Sequence, residues 1–376
     1  MKLTALTYDE LREVVSQYVQ EQKLSNPNFV PSFDNLVGLL DKIGKITMLS
    51  QNYVDKLAIL DREFLSYGKT VEEWANDLIL PQDYDPEGAD ALAPYDPSYR
   101  PVFYSYTLGK KTFPITRRYN DVERAVHNEA EFVEIIASIL KSLFDSERVW
   151  RYNVKRGILG KIAELAIQLD YGQTEYSDFG TETAYSVGTI LFNGDGIPPY
   201  PGVVFREIPA TNTKTWDELV SEGYIVVLKS YQKISDITDT ATGEAFVEQL
   251  KKDVEIASDN SQGYSFNGNA LGAAEGLVLF VKHGVMPTID VKVLAGAFHE
   301  GRVAVPAEII PIPDFGEGND DVIAILMDRR GAGLHPTYRA VREQPNGKGD
   351  FLNYFLHTEN TGYISRNTFV KVYVKE

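Results

Sequence analysis

Acidic side chains alternate with small and turn-forming residues in one stretch, PQDYDPEGAD at residues 81–90. Asp83, Asp85 and Glu87 occupy every second position, a glycine follows, and Asp90 ends the run. Carboxylates at this spacing before a glycine resemble the start of a calcium-binding loop, where they would supply oxygen ligands to the ion.

The rest of this loop argues against calcium. If Asp83 is the first ligand, the twelfth position, which should hold a bidentate glutamate, is occupied by Pro94. Pro86 also stiffens a position that normally curls around the ion. We therefore predict a solvated acidic loop, and no metal ion or cofactor for this chain.

Other short catalytic patterns are incomplete. The GKT at 68–70 is not a phosphate-binding loop, because Glu63 stands where the first glycine is needed. The five histidines include no pair at the i, i+4 spacing of a zinc helix, and no G-x-S-x-G elbow is present. The absence of cysteine excludes thiolate metal sites and cysteine nucleophiles. These observations predict that the protein is not an enzyme.

The composition narrows the class of protein. A net charge of -17 argues against a protein whose main task is to grip nucleic-acid phosphates. No apolar run approaches the roughly 18 residues of a membrane-spanning helix, and the first residues lack a signal-peptide core. We therefore expect no membrane association and a protein made and used in a cytoplasm.

The elements that must position the acidic loop begin with an arm. Thr7 and Glu10 form a capping box before an apolar stripe, and a second helical pattern follows at 36–43. Residues 45–125 contain short strand-like pieces, among them LAIL at 57–60, and a helix start at Thr70 and Glu73. This part of the chain is typical of a long extended hairpin.

The strongest helical signal covers residues 128–169, although Gly157 and Gly160 are expected to bend or split that helix. Later helices and strands do not alternate regularly, which predicts an α+β fold. The last residues predict an antiparallel hairpin that turns at Glu359–Gly362.

Several stretches in order resemble the major capsid proteins of tailed bacteriophages, especially small short-tailed phages of the phi-twenty-nine kind. The resemblance extends over most of residues 34–376. It rests on LLDKIGKI at 39–46, GKTVEEWANDL at 68–78 with YDPEGAD at 84–90, FVEIIASILKSLFDSERVWRYNVKRGIL at 132–159 and IDVKVLAGAF at 289–298. GYISRNTF at 362–369 is similar to the segment after which some relatives carry an immunoglobulin-like domain, which we expect to be absent here.

The resemblance implies the Hong Kong ninety-seven type capsid fold. Its expected parts are an N-terminal arm (1–56), an extended loop (57–125), a peripheral domain with a long spine helix (126–240), an axial domain (241–345) and a return to the peripheral domain (346–376). Asp83, Asp85, Glu87 and Asp90 then lie in a loop that contacts a neighbouring subunit.

The resemblance also implies a function. The chain is expected to self-assemble, as hexamers and pentamers, into an icosahedral shell around phage double-stranded DNA, with a scaffolding protein and a portal protein as partners. The capsid would be assembled in the host cytoplasm and become part of the virion. Two alternatives stay open: the shell of a bacterial nanocompartment and, from another class, a calcium- or glycan-binding hydrolase.

Overall fold

A computed structural model describes most of the chain after residue 53 and scattered residues before it. The described residues are 5, 6, 13, 16, 17, 19–21, 23, 24, 48, 49, 54–65, 68–76, 99–104, 106–118, 129–167, 177–193, 201–259, 261–268, 276–289 and 307–376. The chain forms two compact units, and it passes three times through each. The first unit comprises 1–69, 106–155 and 334–362, and the second comprises 70–105, 156–333 and 363–376.

Strands and helices are mixed along the described chain, which confirms the predicted α+β class. The strands are β1 (Ala5–Leu6), β2 (Met48–Leu49), β3 (Val71–Asn76), β4 (Tyr99–Tyr104), β5 (Tyr106–Arg118), β6 (Ser177–Asp178), β7 (Ile190–Phe192), β8 (Pro201–Val204), β9 (Ile225–Val227), β10 (Tyr231–Ile234), β11 (Leu277–Lys282), β12 (Glu308–Ile312), β13 (Val322–Asp328), β14 (Ala332–Asn346), β15 (Phe351–Ile364) and β16 (Val370–Lys375). The helices are α1 (Glu129–Ile167), α2 (Trp216–Ser221), α3 (Thr240–Ala257) and α4 (Val285–Ile289), and a short 3-10 turn spans Ala58–Leu60.

Helix α1 is the long helix that the sequence pattern predicted. Its 39 residues give a rise of about 58 Å at 1.5 Å per residue. Gly157 and Gly160 lie inside it without ending it, so the expected split is absent. The apolar repeat on the buried face accounts for this continuity, because tertiary packing outweighs the roughly 1 kcal/mol by which glycine disfavours a helix.

The first unit is built on a three-stranded sheet in the order β14-β15-β5. Strand β15 pairs antiparallel with β5 from Phe351 opposite Arg118 to Gly362 opposite Tyr106, with a register shift after Thr358. Alternate residues of β15 are buried, and this period of two gives the sheet one inward and one outward face.

Helix α1 packs on the inward face of this sheet through Phe144, Glu147 and Trp150. The rings of Phe113 on β5 and Trp150 on α1 meet edge to face, with centroids 6.1 Å apart. The Arg339 guanidinium of β14 lies 4.6 Å from the centroid of Phe144 on α1. Helix and sheet thus share one core, to which β15 contributes the buried Leu356.

The second unit contains a mixed five-stranded sheet in the order β10-β16-β13-β11-β12. Strand β13 pairs antiparallel with both β11 and β16, whereas β10 with β16 and β11 with β12 are parallel pairs. Helix α3 begins at a capping box between Asp239 and Thr242 and packs its apolar stripe on this sheet. The resulting core includes Phe246, Val247, Leu250, Val254, Leu279, Val281, Leu326 and Tyr373.

A smaller four-stranded sheet, in the order β6-β7-β8-β9, has its own core beneath α2. Trp216 and Leu219 of α2 pack against Ile225 of β9 in this core. Gly202 of β8 is required here, because a Cβ atom at that position would lie 2.6 Å from both the Trp216 ring and Ile225. The close approach of strand and helix therefore depends on the missing side chain.

Three local predictions were wrong. Thr70 and Glu73 do not start a helix, since Val71–Asn76 forms strand β3. Residues 57–60 form a 3-10 turn rather than a strand. The predicted turn at Glu359–Gly362 lies inside the continuous strand β15, whereas β14 and β15 are joined by the turn at 347–350, and β16 pairs in a different sheet.

Candidate assembly surfaces

The strands on either side of the acidic segment form a hairpin. β3 and β4 pair antiparallel, from Val71 opposite Tyr104 to Asn76 opposite Tyr99. The two ends of segment 77–98 are therefore held side by side, as an extended hairpin loop requires. The sequence resemblance predicted such a hairpin at this place.

The base of this hairpin is anchored within the second unit. Ser365 Oγ donates a hydrogen bond of 2.7 Å to Glu73 Oε1 on β3. Ser365 Oγ also accepts from the backbone N–H groups of Asn367 and Thr368, so a tight turn fixes the donor. The predicted contact residues Asp83, Asp85, Glu87 and Asp90 all lie in segment 77–98, outside the described residues.

Within the first unit, segment 54–65 is tied to α1 by buried charges. Lys155 of α1 is fully buried; its Nζ contacts the carboxylate of Asp55 and lies 2.9 Å from Asp61 Oδ2. Arg151, one turn earlier, donates from Nη2 to Asp61 Oδ1 at 2.7 Å. Lys155 Nζ also donates to the Leu57 carbonyl at 3.3 Å. Two cations and two carboxylates thus form one network, which we call the lysine cluster.

Segment 54–65 also pairs with the edge of β14. The backbone N–H of Arg62 donates to the Leu334 carbonyl at 3.1 Å, and that of Leu65 donates to the Pro336 carbonyl at 3.0 Å. Leu57 and Leu60 are buried beneath this contact. The segment that leads into the hairpin is therefore fixed by backbone hydrogen bonds, apolar packing and the lysine cluster together.

A second charged pair lies on the inward face of the first unit's sheet. Arg339 of β14 binds Glu147 of α1 through two nitrogens, at 3.0 and 2.8 Å from Glu147 Oε2. Nearby on the helix, burial lowers the pKa of Arg148 from its ordinary value, and Asp145 partly opposes that shift. Sequence reasoning missed these pairs. The available signal was the set of cations within one helical face, Arg148, Arg151 and Lys155, inside an otherwise apolar repeat.

The outward face of the three-stranded sheet carries basic and aromatic side chains. Arg118 of β5 and Arg342 of β14 are exposed, and no ion pair among the described residues includes either of them. The Lys110 ammonium lies 3.9 Å from the Tyr338 ring centroid. The acid of this face, Glu359, is paired with Lys69 at 2.7 Å. We call Lys110, Arg118, Arg342 and Tyr338, with Phe351 and Phe355, the basic face.

Cross-strand pairs hold the middle of the basic face. Thr112 Oγ1 and His357 Nδ1 are 2.7 Å apart, and Thr116 Oγ1 donates to Asn353 Oδ1 at 2.6 Å. The rings of Phe355 and His357 are stacked at a centroid distance of 6.2 Å. Because Glu359 is paired with Lys69, the exposed cations of the basic face give it a net positive charge, although the total charge of the chain is -17.

The second unit buries the carboxylate of Asp253 inside an apolar core. Asp253 of α3 accepts hydrogen bonds at Oδ2 from the Tyr373 hydroxyl at 2.6 Å and from Gln249 Nε2 at 3.1 Å. Its Oδ1 has no hydrogen-bond donor and lies 3.9 Å from Lys371 Nζ. Burial raises the pKa of Tyr373 well above its ordinary value, and the charge of Asp253 adds to that shift. Burial lowers the pKa of Lys371 below its ordinary value.

The described part of the chain contains neither a metal-ligating cluster nor a membrane-spanning helix. No group of three or more His, Asp or Glu side chains there is arranged to hold a metal ion. No helix in the same residues is long and apolar enough to span a membrane.

Comparison with known proteins identifies the family. The family model for the Phi29-like phage major capsid protein matches residues 7–191 and 213–372. The chain belongs to this family. Most of this Phi29-like capsid protein is thus matched, including α1, both strands of the hairpin and the lysine cluster. A comparison with curated protein sequences gives no match.

Solved structures agree on the fold of this Phi29-like capsid protein. It is similar to a chain from the capsid structure of Staphylococcus phage Andhra, with a TM-score of 0.54, 10% identity, and coverage of 93% of this chain and 88% of that chain. A chain from the capsid of Cyanophage P-SCSP1u gives a TM-score of 0.50, 10% identity, and coverage of 93% and 94%. The protein has the Hong Kong ninety-seven type fold that the sequence predicted.

The family and fold define what this capsid protein does. It is a structural subunit of a phage capsid shell, and its place is in the virion. A capsid role implies that the protein is not primarily an enzyme. Of the alternatives left open by the sequence, neither the nanocompartment shell nor the hydrolase has the support of the family match.

Proposed function

We propose that the protein forms hexamers and pentamers of an icosahedral shell, which assembles in the host cytoplasm with a scaffolding protein and a portal and then encloses double-stranded DNA. The family match over most of the chain carries this proposal. The net charge of -17 supports DNA that is confined by the shell and not gripped by it.

We assign the two principal sheets to the two expected domains. The three-stranded sheet with residues 129–155 of α1 is the peripheral domain, and the five-stranded sheet with α3 is the axial domain. This assignment modifies the predicted division at 346–376, because β16 pairs with β10 and β13. The last strand then belongs to the axial domain and only β15 to the peripheral one.

Co-expression of the chain with its scaffolding protein, followed by electron microscopy, tests the assembly. We expect closed shells with five-fold and six-fold capsomers. A protein that stays monomeric under every condition contradicts the proposal. Shells that co-purify with a cargo enzyme and no genome support the nanocompartment instead.

We propose further that the acidic segment of one copy contacts the basic face of a neighbouring copy. Charge complementarity supports this pairing: the loop presents Asp83, Asp85, Glu87 and Asp90, and the face presents cations without ion-pair partners among the described residues. Tyr84 and Tyr95 of the same segment provide aromatic groups suited to the Phe351 and Phe355 rings.

The variant D83N/D85N/E87Q tests the acidic segment. Each exposed charge pair contributes only about 0.2–1 kcal/mol, but the loss recurs at every copy of the contact, so we expect a several-fold lower yield of shells. The stability of the unassembled chain should be unchanged. The control E244Q/E248Q/E255Q removes three exposed carboxylates from α3 and should assemble normally.

Exchanging the charges of the acidic segment and the basic face shows whether the segment contacts that face or only keeps the loop solvated. R118E/R342E should reduce assembly, and combining it with D83K/D85K/E87K should restore a large part of the yield, because opposite charges again face each other. If the combined variant assembles no better than R118E/R342E alone, the acidic segment does not contact the basic face. Normal assembly of D83N/D85N/E87Q would limit the segment to a solvating role.

A further inference from the structure

The turn between β14 and β15, Asn346-Gly347-Lys348-Gly349-Asp350, contains an asparagine side chain whose oxygen is bound by two backbone donors. Asn346 Oδ1 accepts hydrogen bonds from the backbone N–H groups of Lys348 at 3.1 Å and Gly349 at 2.9 Å. Both residues of the Asn346–Gly347 pair are exposed to solvent. Two donors therefore point at the one oxygen that gains negative charge if the Asn346 side-chain carbonyl is attacked.

The attacking group is the next peptide nitrogen. Gly347 has no side chain to shield that nitrogen, and a Cβ atom placed there would meet nothing within 4 Å. Attack by the Gly347 nitrogen on Asn346 Cγ would close a five-membered ring. The tetrahedral intermediate would carry its negative charge on Oδ1, where the two N–H donors stabilise it.

We propose that Asn346 is a site of self-modification, at which the side-chain amide is lost through a cyclic imide. A base in the solvent takes the proton of the Gly347 nitrogen, and the bond from that nitrogen to Asn346 Cγ forms. The protonated base then returns a proton to Nδ2, and the Cγ–Nδ2 bond breaks with release of ammonia. Water then opens the imide at either carbonyl and leaves an aspartate or an isoaspartate. No cofactor, oxidant or second protein is required.

A second asparagine–glycine pair in the described chain has the opposite surroundings. The Asn267 side chain donates from Nδ2 to Asn367 Oδ1 at 3.0 Å, so its leaving group is held. Gly268 is packed so closely that a Cβ atom there would lie 2.7 Å from Val203 Cγ1. Ring closure at this pair would move a packed backbone, and we expect the fold to protect it.

The modification changes the hairpin that ends at the basic face. A carboxylate replaces a neutral amide at residue 346, and the isoaspartate product also inserts a methylene into the backbone at the tip. In a shell of many copies, the fraction of modified subunits would rise with the age of the particle.

Incubation of the purified folded chain at mildly alkaline pH, followed by peptide mass spectrometry, tests this inference. We expect the amide at Asn346 to be replaced by a carboxyl group, with ammonia released, while Asn267 stays intact. Conversion of Asn267 as fast as Asn346 would overturn the inference. The same measurement in denaturant should bring the rates of the two sites together; a difference that persists there would show that the fold is not its cause.

Gly347→Ala is the matched control. The added methyl meets no neighbour, so the fold is retained, but it shields the attacking nitrogen. We expect conversion of Asn346 to slow by about tenfold, equivalent to about 1.4 kcal/mol in the barrier. An unchanged rate in this variant would exclude the cyclic route.

Discussion

The two units bury charge in different ways. In the first unit, the lysine cluster pairs two cations with two carboxylates. In the second unit, Asp253 is buried with the Tyr373 hydroxyl as its closest donor, and the nearest cation among the described residues, Lys371, is 3.9 Å away. The lysine cluster joins residues about 100 positions apart, and each charge in it meets an opposite charge. The Asp253 site lies in an apolar core, and one oxygen of its carboxylate lacks a donor.

This difference indicates two ways in which the fold uses buried charge. The lysine cluster fixes where segment 54–65 lies on α1, immediately before the chain enters the β3–β4 hairpin. Removing Lys155 would leave Asp55 without a cation, and removing Asp61 would leave Arg151 without a carboxylate, and both losses are costly in a largely buried network. The Asp253 site instead connects α3 with β16 inside a core that apolar packing already holds together.

The largest expected effect comes from Lys155→Met. Methionine keeps the length and helix propensity of the side chain, but Asp55 and Asp61 lose their shared cation. We expect a loss of about 3–5 kcal/mol in the free energy of unfolding of the unassembled chain, measured by chemical denaturation. Adding D55N should recover part of this loss, because Asp55 is then the carboxylate left without a cation, whereas Asp61 keeps Arg151.

Lys161→Met serves as its control. Lys161 contacts Glu164 on the exposed side of the same helix, where ion pairs contribute about 0–1 kcal/mol. Equal losses in K155M and K161M would contradict a special role for the lysine cluster.

A smaller effect is expected from Tyr373→Phe. The variant keeps the ring in the core of the second unit but removes the hydroxyl that donates to Asp253. The carboxylate then loses a buried hydrogen bond, and we expect the free energy of unfolding to fall by about 1–3 kcal/mol.

The contact between Tyr373 and Asp253 also predicts how the stability of Y373F depends on pH. The pKa of Tyr373 is raised in the folded state, so Tyr373 stays protonated above about pH 10, where the unfolded chain ionises. Its contribution to stability is therefore complete below about pH 10 and is lost as the pH rises toward the folded pKa. The stability difference between the wild type and Y373F should narrow in alkali; a constant difference would contradict this linkage.

The smallest effect is expected from Gly157→Ala, just beyond Lys155, and Gly160→Ala on the same helix provides the contrast. Gly157→Ala meets nothing within 4 Å and should stabilise α1 by about 0.5–1 kcal/mol through helix propensity alone. Gly160→Ala should destabilise, because its Cβ would lie 2.3 Å from the Phe315 carbonyl oxygen. Thermal denaturation of both variants checks the signs. A stabilising Gly160→Ala would mean that this close approach relaxes freely.

Local patterns predicted much of the fold. The apolar repeat placed α1 at 128–169, within two residues of its observed ends, and strand-like pieces were also predicted within 45–125, where β4 and β5 lie. These elements could be predicted because the buried residues of a helix or strand are apolar, and their spacing in the sequence has the period of that element.

Tertiary structure accounts for the secondary-structure predictions that were wrong. Thr70 and Glu73 match a capping box, but pairing with β4 makes this segment a strand. The turn after β14 was not predicted although Asn346–Gly347 is a strong hairpin signal, because the polar run at Glu359 also has the composition of a turn. That run belongs to a strand that has a bulge beside Thr358. The partners of Lys155 could not be predicted, since Asp55 and Asp61 are brought to it only by the fold.

The position of β16 in the five-stranded sheet determines when the protein can fold. Val372 pairs with Tyr231 on one side and with Ile325 on the other, so the last strand fills a place inside the sheet. A ribosome must therefore release the chain past this strand before the second unit can close, and until then the apolar edges of β10 and β13 need protection from aggregation. Chains that are cut short before residue 370 lack this strand and cannot complete the sheet, so we expect them to be excluded from assembly.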